Sequence, residues 1–215
     1  MAVSIPNGSL IAIGSAYGTA IATTILTNAA ACVVTATAHG YANADIVVIT
    51  SGWSRADGRT FRIANITANT FELEGFNTTS TTIYPAGTGT GTVKKVTTFT
   101  QISQILGSSS TGGEQRFLTY QFLESDREVE IPTIKSGGGL NLKVGDDPTL
   151  AGYTALEAAN DDRLPRAIRV TLPSAAKLYY YAYMSINKTP SLTNNEVMAI
   201  EATARFLNEP VRYTT

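Results

Sequence analysis

Histidine and cysteine each occur once in this 215-residue chain, and charged side chains make up only 15% of it. Each scarcity removes a class of function. Cys32 has no second cysteine to pair with, so no internal disulfide can form and the redox compartment stays open. Its setting, "ACVVTATA", is that of a buried strand, which favours a small core residue over a reactive thiol. A catalytic triad built on imidazole would have to use His39 in "TAHGYANAD", where a His-Gly turn at a strand end is the better reading. One histidine with one cysteine is not a metal-ligand set, and neither Asp146-Asp147 nor Asp161-Asp162 has the spacing of a calcium loop. "SGGGL" and "GTGTGT" do not lead from a strand into a helix with the lysine a phosphate loop needs. No catalytic residue, metal site or cofactor is therefore assigned, and an enzyme is the weakest class.

Basic residues are as scarce as acidic ones, 16 against 17, for a net charge of -1 with no long basic run. General affinity for nucleic acid or an anionic membrane needs clustered Lys and Arg, so neither is expected. The opening "MAVSIPNGSLIAIGSAYG" has no basic residue, and Pro6, Gly8, Gly14 and Gly18 break its apolar positions, unlike a signal peptide or a membrane span. A soluble protein made in a cytoplasm is the default expectation.

What the chain has in quantity is Thr, Val, Ile, Gly and Ser, in two blocks of different charge. Up to Val93 the charged residues are Asp45, Arg55, Asp57, Arg59, Arg62, Glu72 and Glu74, whereas they are frequent from Lys94 onward. In the first block "CVVTATAHG", "DIVVITSG", "RTFRIANI", "TFELEG" and "GTVKKV" read as short strands separated by turn-prone His39-Gly40, Asp57-Gly58, Ala68-Asn69 and Gly75. "NTTSTTIYPAGTGTGT", residues 77–92, reads as a long exposed loop or hairpin. The chain is thus divided into a β-sandwich domain, residues 1–29 plus 97–215, and an inserted all-β module, residues 30–96. The module is expected to lie outside the main domain and to be removable without loss of assembly.

In the second block Ile102 and Ile105-Leu106 lie in or beside a strand, Ser108–Gly113 is expected to be a flexible loop, and Phe117–Leu123 extends again. "EVEIPTI", a Gly137–Gly139 turn and the alternating "LNLKV" follow. "DDPTLAGYTALEAANDD" is the single helix: Leu150, Tyr153 and Leu156 recur on one face, with Asp147 expected to cap it and Pro148 to sit in its first turn. Ile168, Val170 and Leu172 then switch to period two. "AKLYYYAYMSI" and "EVMAIEATARFL" are two long strands joined by "NKTPSLTNN", and Val211-Arg212-Tyr213 closes the set. Tyr179, Tyr181 and Tyr183 share one strand face, and packing against the helix or another copy explains them better than a sugar-stacking platform. A secreted or surface carbohydrate-binding β-sandwich is the rival reading.

The stretches "FLESDREVEIPTIKSGGGLNLKVGDDP", "TALEAAN", "RAIRVTLPSAAKLYYYAYMSI" and "NNEVMAIEATARFLNEP" resemble the major tail tube proteins of long-tailed bacteriophages. The resemblance covers about residues 94–215, with Ile5–Ile13 supplying an N-terminal strand, and rests on element order and residue type. It implies a mainly β (α+β) tube domain, a β-sandwich with one flanking helix, here carrying the small inserted β module. It also implies a virion protein synthesised in the host cytoplasm, whose hexameric rings stack into a tube. Its partners would be other copies of itself, the tape measure protein and further tail proteins, with DNA passing through the lumen unbound. The residues expected to carry self-assembly are Phe117, Tyr120, Phe122, Leu123, Glu124, Asp126, Arg127 and Glu128, apolar groups to be covered and charges to fix register. Residues 108–132 are expected to be mobile in a lone subunit and ordered between stacked rings.

Overall fold

The computed structural model describes residues 5–214. Met1–Ser4, the start of the segment read as unlike a signal peptide, lie outside the described residues. The first strand, β1 (Leu10–Tyr17), begins later than the expected Ile5. Two short strands that the composition did not flag follow, β2 (Ile21–Thr23) and β3 (Ile25–Leu26). The five expected β runs then form β4 (Cys32–Thr35), β5 (Ile46–Ser51), β6 (Arg59–Ala64), β7 (Thr70–Leu73) and β8 (Gly91–Ile102). The remaining elements are β9 (Ile105–Thr111), β10 (Gln115–Tyr120), β11 (Val129–Lys135), β12 (Gly139–Gly145), α1 (Ala151–Asp162), β13 (Arg166–Thr171), β14 (Lys177–Ser191), β15 (Ala199–Phe206) and β16 (Val211–Tyr213). The fold is mainly β with one helix, as the sequence predicts.

The strands join in the order β3-β4-β7-β6-β5-β8-β1-β13-β14-β15-β12-β9, and β10-β11 form a separate pair. β8 and β9 stand far apart in that order, yet only Ser103 and Gln104 separate them in the chain. Gln104 takes a left-handed conformation (φ 58°) and its carbonyl accepts from Gly145 N–H at 2.9 Å, which turns the corner. The sheet from β8 to β9 therefore curls, and α1 packs against its inner face. Tyr153, Leu156 and Ala159 of the helix meet Ile13, Ile168, Ile200 and Leu142 there. Gly152 lets the helix approach: a Cβ would lie 2.5 Å from the Gln101 carbonyl oxygen and 2.8 Å from Ile102 Cα.

The helix starts later than the sequence suggests. Leu150 is its N-cap, with no side-chain cap, and Asp147 instead accepts from Thr149 N–H (3.0 Å) and Thr149 hydroxyl (2.6 Å) in the turn before it. Pro148 thus precedes the helix rather than opening it. Those bonds hold the Asp147 carboxyl below its ordinary pKa.

The segment read as inserted supplies most of a second core, with Trp53, Phe61, Phe71, Ile49 and Leu73 fully buried and Leu26, Ile21 and Val211 joining from outside it. Cys32 belongs to it, as expected of a small core residue, and His39 is buried against Tyr41 and Phe71. The loop after Asn77 is exposed along most of its length, as expected, and is pinned at buried Thr78, Tyr84 and Gly89. Thr78 is fully buried and donates its hydroxyl to the Thr27 carbonyl at 2.7 Å, while Trp53 Nε1 donates to the Pro85 carbonyl at 2.8 Å. Tyr84 packs edge-on to Trp53 at 5.2 Å. The loop is folded down over the module's core.

A third cluster joins the two parts. Ile46, Val48 and Val96 face Ala167, Tyr179, Tyr181 and Tyr213. β8 runs through both: Gly91–Lys95 pair with β5, and Val96–Ile102 pair with β1. The tyrosine strand is thus covered on both sides, Tyr179 and Tyr181 by the inserted segment and Ala182 and Met184 by the helix-side core, leaving Tyr183 exposed. Packing is the correct reading of this strand: the helix-side core covers one face, as expected, while the segment with Ile46, Val48 and Val96 covers Tyr179 and Tyr181 on the other.

Desolvation pushes the phenols of Tyr17 and Tyr213 up from 10.0 to about 12, and that of Tyr181 up as well. Neutral Tyr17 accepts from Ala167 N–H (2.7 Å) and neutral Tyr213 from Arg62 N–H (2.9 Å) at this seam. A folded-state pKa above the unfolded one means that the stabilisation is whole below pH about 10 and is lost as pH climbs through about 12. An alkaline titration is expected to show late, steep tyrosinate absorbance coincident with loss of folded circular dichroism. Early ionisation of all tyrosines with the fold intact would contradict the burial of the seam.

Candidate functional site: an apolar arm and an uncovered sheet face

β9 and β12 pair as a hairpin whose last register is Thr111 with Gly139, and beyond them the same two chain segments continue as β10 and β11. The expected flexible loop over Ser108–Gly113 is corrected here: Ser108–Thr111 hydrogen-bond to β12, because alternating contact with Leu140 and Leu142 gives even a Ser run a strand to pair with. Only Gly112 and Gly113 turn, both at positive φ (68° and 83°). A side chain at Gly112 would overlap the Gly137 carbonyl oxygen, so the two segments cross backbone to backbone.

Past this crossing the ribbon packs chiefly on itself, with Lys135 at its root paired to Glu209 of the body. The pairs Leu118–Ile131 and Tyr120–Val129 share one face, and Phe117–Pro132 lies on the other. Phe117 is 58% exposed, Phe122 59%, Ile134 66% and Leu123 fully exposed. The structure gathers the eight expected assembly residues on this arm: Phe117 and Tyr120 in β10, Phe122, Leu123, Glu124, Asp126, Arg127 and Glu128 in the connection to β11. Phe122 packs edge-on to Tyr120 at 5.3 Å, and Ser125 N–H donates to the Phe122 carbonyl at 3.0 Å, closing the tip. Leu118, Val129, Ile131 and Ile134 belong to the same arm and are additions to that set; the period-two alternation of "EVEIPTI" signals Val129 and Ile131, while Leu118 lies outside that stretch and Ile134 out of its phase.

The second feature is the outer face of β9, β12, β15 and β14. The registers bring Ser109, Asn141, Thr203 and Ser185 into one row, and Lys143, Glu201 and Asn187 into the next. The opposite face of the same strands carries buried Leu142, Ala202 and Ile186. Lys143 lies 3.9 Å from Glu196, while Arg205 on the same face reaches the Thr111 hydroxyl at 3.4 Å. Among the described residues β9 is bonded to β12 alone and β8 beyond Val96 to β1 alone, and short β3 ends the other side of the strand order.

Among the described residues no group of three or more His, Cys, Asp or Glu could hold a metal ion, and no helix is long and apolar enough to cross a membrane. No curated protein matches the chain. A family profile described as "phage tail tube protein, TTP" matches residues 51–215, which takes in the end of β5, the rest of the inserted segment and everything after it. With an arm of uncovered apolar side chains, open sheet edges and that match, the chain belongs to the phage tail tube protein family and is a structural component of the phage tail.

Proposed function

We propose that this protein closes into rings of about six subunits that stack into the tail tube, with DNA and the tape measure protein passing through the lumen. The observation that carries this is the arm: Phe117, Leu118, Phe122, Leu123, Val129, Ile131 and Ile134 are all exposed on one short ribbon, the kind of apolar surface that marks an interaction site. The eight residues from Phe117 to Glu128 named above act in self-assembly, the apolar ones covered by a neighbour and the charges setting register. The open edges of β9 and β8 extend the sheet between subunits, since an unpaired edge is a template for another strand. The polar face of Ser109, Asn141, Ser185 and Thr203 lines the lumen. With no cluster of unpaired cations, it offers phosphate little counterion-release affinity, so a polyanion slides. The division into a tube domain (1–29 plus 97–215) and an outward module (30–96) is part of this proposal, with the seam lying inside β8.

Electron microscopy of the purified protein tests it. Rings or tubes with a continuous inner wall are the expected result. A strict monomer at high concentration in every salt condition would refute the reading.

A further inference from the structure

A cleft of about 950 Å³ lies at the root of the arm, between the inserted segment and the turn that follows β15. Its floor is the glycine crossing of Gly112, Gly113 and Gly137–Gly139, and its apolar wall is Tyr180, Phe206 and Leu207. Tyr180 stacks on Phe206 at 4.4 Å, and Leu207 is 40% exposed. Arg55 and Arg59 enter from the inserted segment and Lys135 from the arm. Lys135 is paired with Glu209, whose carboxyl it holds below the ordinary range. Arg59 is largely desolvated, stacked over Phe61 (5.1 Å) and Phe76 (5.3 Å), and its Nε has no hydrogen-bond partner among the described residues. Three cations thus face one anion in a cleft with apolar sides.

The tip of the arm has the opposite composition. Glu124, Asp126 and Glu128 accompany one cation, Arg127, and Phe122 and Leu123 stand out beside them. We infer that the cleft receives the tip of the arm of a second copy, with Leu123 entering against Phe206 and Leu207 and the tip carboxylates meeting Arg55 and Arg59. This inference rests on the tube-forming reading above. A subunit does not reach its own cleft. The ribbon is paired from Gln115–Lys135 at the root to Tyr120–Val129 near the tip, which holds the two ends apart by about 20 Å. Tip and cleft are different patches, so the contact is head-to-tail and propagates instead of closing a pair. The inserted segment then has a part in assembly, because it supplies both arginines.

The test uses the full chain with one cysteine added in each of two variants, Leu123→Cys and Leu207→Cys. The native Cys32 is fully buried and does not compete. Oxidation of the mixed variants under assembling conditions is expected to give a disulfide-linked pair that contains one of each, and neither variant alone should give it. Arg55→Glu, on an exposed side chain that spares the buried packing, should raise the concentration needed for assembly about tenfold, and Glu124→Lys in the same chain should restore it. Tubes that form without the mixed disulfide, and with Arg55→Glu assembling like the parent, would overturn the inference while leaving the tube reading intact. A parent protein that never assembles would overturn both.

Discussion

Replacing Gln115–Lys135 with a two-residue Asn-Gly turn is expected to leave the subunit folded and to abolish assembly. The deleted ribbon touches little except itself, apart from the Lys135–Glu209 ion pair, which lies at the exposed surface. Surface pairs of this kind contribute at most about 1 kcal/mol. The residues flanking the cut, Glu114 and Ser136, are already hydrogen-bonded to each other (Ser136 N–H to the Glu114 carbonyl, 2.8 Å), so a two-residue turn suits the new connection. Stability should therefore change little, whereas the surface lost includes Phe117, Leu118, Phe122, Leu123, Val129, Ile131 and Ile134. Denaturant unfolding should report a midpoint close to that of the parent, and light scattering should report a monomer. Tubes formed by the shortened protein would remove the arm from the assembly mechanism. A shortened protein that fails to fold would show that the arm belongs to the core of the subunit.

Excising Ala30–Val96 is expected to destroy the fold, contrary to what block composition alone suggests. The excision removes Ile46, Val48 and Val96 and uncovers Tyr179, Tyr181 and Tyr213, which are 3%, 6% and 6% exposed in the intact chain. Burial of one large apolar side chain contributes roughly 1.5–3 kcal/mol, so three together approach the roughly 5–15 kcal/mol that separates a folded domain from its unfolded chain. The hydrogen bonds from Arg62 N–H to the Tyr213 hydroxyl and from Asn208 to the Ser54 and Asp57 carbonyls are lost with it. Insoluble or non-cooperatively melting protein is the expected outcome. A soluble deletion variant with a sharp thermal transition, forming a tube of smaller outer diameter, would show that the inserted segment is an ornament.

The contrast between these two excisions marks where the sequence was legible. Alternation in "TFELEG" and "LNLKV" announced β7 and β12, because burial on one face leaves a period-two trace, whereas the unbroken apolar run of "DIVVITSG" announced β5, which is buried on both faces. That Phe117, Tyr120, Phe122 and Leu123 lie outside every buried cluster was legible for a related reason, since aromatic and aliphatic side chains in a Gly- and Ser-flanked stretch have no core of their own to enter. Tyr179 and Tyr181 were not resolved. A tyrosine buried under a neighbouring segment of the same chain leaves the same letters as one buried under another copy. Ser108–Thr111 misled for the opposite reason: the partner strand determines its conformation, and no residue in the run announces it. The start of α1 was displaced because Asp147 satisfies its carboxylate on Thr149 before the helix begins.

The glycine crossing at Gly112-Gly113 and Gly137-Gly138 has a mechanical consequence. Four residues without side chains separate a rigid body from the ribbon, so a change in the angle between them shears no packed core and is opposed chiefly by backbone torsions and a few hydrogen bonds, such as Gly113 N–H to the Ser136 carbonyl at 3.2 Å. In a filament made of such subunits the compliance is concentrated at these pivots. Curvature is then shared out as small rotations, one per subunit, while each body keeps its shape and the bore keeps its width.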